Sequence, residues 1–194
     1  MQRYKSLKAN LFLICMSLFL VSCEVVDLDS AGKPIIPMSA EESSALNNMD
    51  PKDIADKIWN DVLQEARQSD ISLKQILSNT ANEKSYFTML NGVLENIDER
   101  QNLMVRSDDQ IITVQFGKII RGNAIRDASS VISFDQFKNQ IQFAKLSKEL
   151  NKKAMVSITK LDRTLLGKDI NLLIALTIKN KQIQDVVPLE IYAE

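Results

Sequence analysis

Cys23 is the residue of this chain whose chemistry its neighbours define most sharply. It follows the small Ser22 at the end of the apolar run "LFLICMSLFLV" and precedes the acidic "EVVDLD". A thiol so placed can carry a diacylglycerol through a thioether. Cys15, the other cysteine, lies inside the apolar run, so no thiol remains beyond Cys23 and the body of the chain has neither disulfide nor thiol chemistry. Histidine is absent, which excludes Ser-His-Asp and Cys-His triads and histidine-built zinc sites. The other side chains with chemistry to offer gather in one stretch: Arg121, Arg126, Asp127, Asn139 and Gln140. Arginine forks bind a carboxylate or phosphate, and the amides can hydrogen-bond a sugar. The same groups can also serve the fold. Arg121 or Arg126 can pair with Asp127 or Asp135 to pin a helix, and Asn139 and Gln140 can satisfy buried backbone groups.

No other constellation reaches the level of a catalytic site. Asp108 and Asp109 are adjacent in a turn and point apart. The spacing of Asp27, Asp29 and Gly32 falls short of a calcium loop, which needs more ligands and a distal Glu at fixed spacing. Gly117-Lys118 and Gly167-Lys168 lack the flanking residues of a phosphate loop. No metal or other cofactor is expected, and the chain is not expected to be an enzyme.

The chain opens "MQRYKSLKAN", basic and free of acids, before the apolar run. That order describes a secretory signal, too short to span a bilayer as a lasting helix. Leu20-Val21-Ser22-Cys23 resembles a bacterial lipobox. Residues 1–22 are therefore expected to be a lipoprotein signal peptide, with Cys23 the lipid-bearing mature N-terminus held in the envelope by acyl chains. Glu24 stands where Asp commonly favours inner-membrane retention, which leaves the destination membrane open.

Removal of residues 1–22 from the 194 leaves 172, enough for one ordinary domain. The leader holds three of 24 Lys+Arg and none of 25 Asp+Glu, so the mature chain carries 21 basic and 25 acidic residues, a net −4. That balance argues against nucleic acid as a partner.

Residues 23–50, rich in Ser, Pro, Asn and acid, read as a tether, and residues 51–194 as a single domain. Asp50 and Pro51 open a helix over 51–68, with Ile54, Ile58, Val62 and Ala66 at helical spacing and Trp59 as a core anchor. Ser72 or Asp70 caps a shorter helix over 72–80. "SYFTMLNGVLENIDE" is β-like, with Asn91-Gly92 either a hairpin turn or a bulge in one long strand. "NLMVRS" and "QIITVQFG" flank the turn Ser107-Asp108-Asp109. Ser133 and Gln136 fit a capping box that would open a long helix over about 133–160. Its stripe would be Phe134, Phe137, Ile141 and Ala144, widened by Phe143, Leu146 and Leu150, with Lys145, Lys148, Lys152 and Lys153 on a basic outer face. "DINLLIALTIKN" and "QDVVPLEIYAE" close the chain as two strands.

At "GKIIRGNAIRDASSVISFDQFKNQIQFAKLSKELN" the chain resembles a family of bacterial periplasmic lipoproteins, domain-of-unknown-function family 2291 (DUF2291). The residues that carry the likeness are Ile120-Arg121-Gly122, Ala124, Arg126-Asp127-Ala128, Ile132-Ser133-Phe134, Phe137, Asn139-Gln140, Phe143 and Ala144. Residues 86–106 depart from the family's glycine-richer pattern. The resemblance implies an α+β fold: N-terminal helices packed on an OB-like five-stranded β-barrel interrupted by one long helix. It also implies an association, because members are often encoded beside ABC importers for simple sugars. The expected function is therefore a lipid-anchored accessory or binding protein whose partner is an importer permease or a sugar-binding protein. A structural envelope lipoprotein is the alternative, and a carboxylate-based enzyme acting on glycans is the third reading.

Overall fold

The computed structural model describes residues 46–78, 83–158 and 163–193. The expected signal peptide, Cys23 and the expected tether up to residue 45 lie outside the described residues.

Helix α1, Pro51–Gln68, starts as its sequence directs: Pro51 occupies the first turn and the Asp50 carboxylate accepts the Lys52 N–H at 3.0 Å. It buries Ile54, Ala55, Ile58, Trp59, Val62, Leu63 and Ala66. Helix α2, Leu73–Ser78, is opened by Ser72, which exchanges hydrogen bonds with Gln75. Strands follow as β1, Lys84–Ile97, β2, Leu103–Ser107, and β3, Gln110–Val114. A short helix α3, Ala124–Ala128, a 3-10 turn at Phe134–Gln136 and helix α4, Gln140–Ser157, separate them from β4, Asp169–Lys179, and β5, Gln182–Ala193.

The strands form one antiparallel sheet in the order β3-β2-β1-β4-β5. The sheet curls until its two edges meet, where the Gln115 N–H donates to the Val186 carbonyl at 2.9 Å. The alternation of β4 explains the two cores. Ile170, Leu172, Ile174, Leu176 and Ile178 point into the curl with Leu90, Leu94, Leu103, Val105 and Val114, and Ile76 of α2 packs onto that cluster. Leu173 and Ala175 point out, with Phe87, Val187 and Leu189, against α1, α3 and α4. A strand buried on both faces reads as a continuous apolar run, which is what "NLLIALTI" is.

Three expectations need correction. First, the tether does not extend to residue 50: Leu46 is 1% exposed within the helical core. The Gln142 amide donates to the carbonyls of Leu46 and Met49 at 3.2 and 2.9 Å, so the domain includes this segment. Second, the helix expected from 133 begins at Gln140. The Ser133–Gln136 box exists, with the Ser133 N–H donating to Gln136 Oε1 at 2.9 Å, but it closes a single 3-10 turn. The backbone extends at Phe137 and Asn139, and Asn139 caps α4 by accepting the Gln142 N–H at 2.9 Å. The cause is aromatic packing: the extended link lets Phe137 turn into the core against Phe143, with ring centroids 5.1 Å apart. Third, the buried stripe of α4 keeps Leu146 and Leu150 of the expected face and adds Ser147, Asn151 and Ala154, whereas Phe134 and Ile141 are exposed.

Candidate functional site

The segment between β3 and α3 is tied down by side-chain amides. Gln115 pairs with the backbone of Arg121, accepting its N–H at 2.9 Å and donating to its carbonyl at 3.0 Å. From the other side, Asn151 Nδ2 on α4 donates to the Gly122 carbonyl at 3.1 Å. Gly122 adopts φ +91°, which turns the chain into α3. The space beneath this segment is a hollow of about 620 Å³, within the range of small-molecule sites. Ile119, Ile120, Ala144 and Met155 give it apolar walls, and Ser147 and Asn151 lie on its α4 side.

Two polar atoms of this lining are notable. Ser147 Oγ and Asn151 Oδ1 are buried and have no hydrogen-bond partner in the protein. A buried polar group left in that state costs roughly 1–3 kcal/mol, so their retention calls for a reason. Lys118, Arg121, Lys148 and Lys152 also line the hollow. Lys152 pairs with Glu149 at 2.7 Å. Lys118, Arg121 and Lys148 have no ion pair among the described residues, and Arg121 is exposed. The hollow combines cationic and apolar lining residues, with Ser147 and Asn151 on its α4 side. That combination suits binding; it contains no nucleophile–base pair.

Of the candidate site residues Arg121, Arg126, Asp127, Asn139 and Gln140, Arg121 alone lines the hollow. Arg126 is held between elements: its Nε donates to Asp127 Oδ1 at 2.6 Å, and its guanidinium lies 4.0 Å from the centroid of the Phe143 ring. Its side chain is only 11% exposed; Asp127, its neighbour on α3, pairs with the guanidinium, and the contact of Arg126 with Phe143 fastens α3 to α4. Asn139 is the α4 cap described above, and Gln140 is exposed on the first turn of that helix.

Sequence reasoning missed Ser147 and Asn151, which it placed in no role, and Asp185. The register of β5 against β4 slips between Ala175 and Thr177, and Asp185 takes φ +51° in this irregular stretch. Its carboxyl sits directly on Gly122, since a Cβ added there would fall 2.4 Å from Asp185 Cγ. The signal was present in the break of alternation at Asp185-Val186-Val187. Burial pushes the Asp185 carboxyl above its ordinary range; Lys179 pulls it down and Asp127 raises it further. A raised folded value means that protonation favours the fold. That stabilisation is complete below the ordinary carboxylate range and is lost as pH rises through the raised value. The expected outcome is that Asp185→Asn gains stability relative to the parent as pH increases across that window, read as the difference in urea midpoints. A difference that does not vary with pH would contradict this environment for Asp185.

Among the described residues, no cluster of three or more acids or cysteines could hold a metal ion, and no helix is long and apolar enough to cross a membrane. A family model described as a predicted periplasmic lipoprotein (DUF2291) matches residues 78–192. The architecture is similar to the crystal structure of an OB-fold protein from Thermotoga maritima. The TM-score is 0.58 at 17% identity, covering 76% of this chain and 99% of that chain. At that identity the likeness establishes the fold: a five-stranded OB-like barrel with helices, α+β in class. No curated protein matches the sequence.

Proposed function

The chain belongs to the DUF2291 family of predicted periplasmic lipoproteins, and from that premise we propose that it is a lipid-anchored binding protein of the cell envelope, not an enzyme. Its site is the hollow between the Lys118–Asn123 segment and α4. The observation that carries this reading is a hollow of about 620 Å³ with apolar walls, lined by Lys118, Arg121 and Lys148, which have no ion pair among the described residues. The partner favoured by the family resemblance is a sugar ABC importer, served through its permease or sugar-binding subunit. Cys23 would be the lipid-bearing residue that keeps the domain within reach of that importer.

The test uses the full protein purified from its own membranes. Native mass spectrometry should find a small molecule held by the parent and absent from Ala144→Trp, in which an indole occupies the hollow. Ala144 is an exposed position of α4, where this change costs only a few tenths of a kcal/mol in helix propensity. The variant should therefore melt within a few degrees of the parent. Equal occupancy in both proteins, or none in either, would remove the hollow as the site. Cross-linking in the same membranes should recover importer subunits, and less of them from Cys23→Ala. Recovery of bulk envelope proteins alone would discard the importer as partner.

A further inference from the structure

We infer that the exposed face of α4, with the Lys118–Arg121 segment beside it, docks onto the surface of a bilayer that contains anionic phospholipid. The inference goes beyond the hollow as a ligand site and rests on the Cys23 anchor. Helical spacing places Ile141, Lys145, Lys148, Lys152 and Val156 on one side of α4, opposite the buried Leu146, Leu150 and Ala154. Across the hollow, the neighbouring segment adds Lys118, Ile119 and Arg121. Two independent properties mark this surface. The first is apolar exposure. Among the described residues, the three most exposed large hydrophobic side chains are Ile119 at 72%, Val156 at 71% and Ile141 at 68%, and all three lie here. A single exposed apolar residue needs no explanation, but the most exposed ones gathered among lysines fit a helix that lies in a membrane interface. There the apolar side chains enter the headgroup–acyl boundary, and lysine stems lie along it while their ammonium groups reach phosphates.

The second property is charge. Lys118, Arg121, Lys145, Lys148 and Lys152 stand with one acid at the edge of the α4 face, Glu149, which pairs with Lys152 at 2.7 Å. Arg100 continues the row past Ile119, with Glu99 beside it. The chain as a whole carries one more acid than base, so this excess of cations is local. Each basic residue close to an anionic bilayer raises partition onto it about five-fold. Nucleic acid offers the same sign of charge without an apolar layer beneath it; a bilayer offers both. The path of the chain agrees. Residues 24–45 join Cys23 to Leu46, and the Gln142 amide holds the carbonyls of Leu46 and Met49, so the chain enters the domain at the Ile141 end of this face. The stretch from Cys23 to Leu46 spans no more than about 80 Å. An anchored domain therefore stays within that reach of the bilayer, and contact becomes an intramolecular event for which a weak attraction suffices.

The test uses the full protein, purified from its own membranes and reconstituted with vesicles of phosphatidylcholine, alone or with roughly 30% phosphatidylglycerol. Cys15 and Cys23 are the only cysteines of the chain. With the first removed in the leader and the second lipidated, Ile119→Cys or Ile141→Cys offers a single thiol for a spin label. Lys74→Cys, at an exposed position of α2, is the control. The labels at 119 and 141 should lose contact with a water-soluble relaxation agent at least about five-fold in the anionic vesicles and not in the neutral ones, while the label at 74 stays wet in both. Lys145→Glu should weaken that protection about ten-fold or more, and Lys145→Arg should keep it. Lys145 does not line the hollow, so this arm is separate from any ligand held there. Flotation of the vesicles reads the anchor. Flotation with both lipids, and labels that stay wet in both, would overturn the docking face and keep the anchor. Flotation with the anionic vesicles alone would support the face and remove the anchor. Flotation with neither would remove both. Equal protection in the two lipids would overturn the need for anionic phospholipid. Labels covered in native membranes and wet in protein-free anionic vesicles would overturn the bilayer as the occupant and assign the face to a protein.

Discussion

Gly92→Ala should cost at least about 3 kcal/mol of folding free energy, the upper end of what overpacking exacts. It should lower the melting temperature by roughly 10 °C in a domain of this size. The added Cβ would fall 2.2 Å from the Arg106 carbonyl oxygen, 2.9 Å from its carbonyl carbon and 3.0 Å from Val105 Cγ1. The first two are backbone atoms of β2, and no rotamer change moves them. Gly92 sits where β1 is paired on both sides, opposite Ile170 of β4 and beside Val93, whose partner is Arg106. Relief requires β1 and β2 to separate, which breaks the ladder between Val93 and Ile97 and opens the inner core at Leu94 and Val105. Chemical denaturation of the variant, with circular dichroism at the β-sheet band, measures the loss. A change below about 1 kcal/mol would mean that β2 does not approach β1 as closely as the structure places it.

Gly92 also marks the boundary between what the sequence makes legible and what it does not. Asn91-Gly92 is a strong turn signal, and local chemistry cannot choose between a hairpin and one long strand. The choice is made by β4, a strand more than seventy residues later in the chain, which pairs with β1 from Lys84 to Val93 without interruption. Local signals settle α1, because cap, proline and stripe all lie within its own residues. They mislead at Ser133–Gln136, because the box forms and the decision to continue the helix belongs to the aromatic contacts of Phe137 and Phe143.

The site divides along the same line. Arg121 is visible as a charged residue at the end of a β-like run. Ser147 and Asn151 look like ordinary polar positions of an amphipathic helix, and the docking of residues 118–123 against α4 gives Asn151 its hydrogen bond to the Gly122 carbonyl. Arg126, Asp127 and Asn139 carry side chains of the right type for a site, yet the fold employs them as a clamp and a cap. Charge and amide chemistry identify candidates. Burial decides among them, and burial is a property of the whole sheet–helix assembly.

Gly122→Ala should link fold and site in one variant. Two separate costs fall on it. At φ +91° an L side chain is strained whatever the surrounding space, and the new Cβ meets Asp185 Cγ at 2.4 Å and Oδ2 at 2.5 Å. The expected total is about 2–4 kcal/mol. The two parts differ in what relieves them. The contact is with a side chain, so Asp185→Ala in the same chain should recover it, whereas the backbone strain should persist. Gly167→Ala gives the reference for strain alone, since Gly167 has φ +78° and nothing within 4 Å of a built Cβ. The double variant should therefore settle near the cost of Gly167→Ala, with a favourable coupling between positions 122 and 185 of at least about 1 kcal/mol by denaturation. Binding should not recover in parallel. The Gly122 carbonyl accepts from Asn151 Nδ2, and a backbone forced away from φ +91° moves that carbonyl and turns the Asn151 amide with it. Ligand affinity should fall ten-fold or more in Gly122→Ala and stay low in the double variant, although much of the stability returns. If affinity and stability recover together, the base of the hollow follows global folding, and the Gly122–Asn151 hydrogen bond has no separate part in holding the site open.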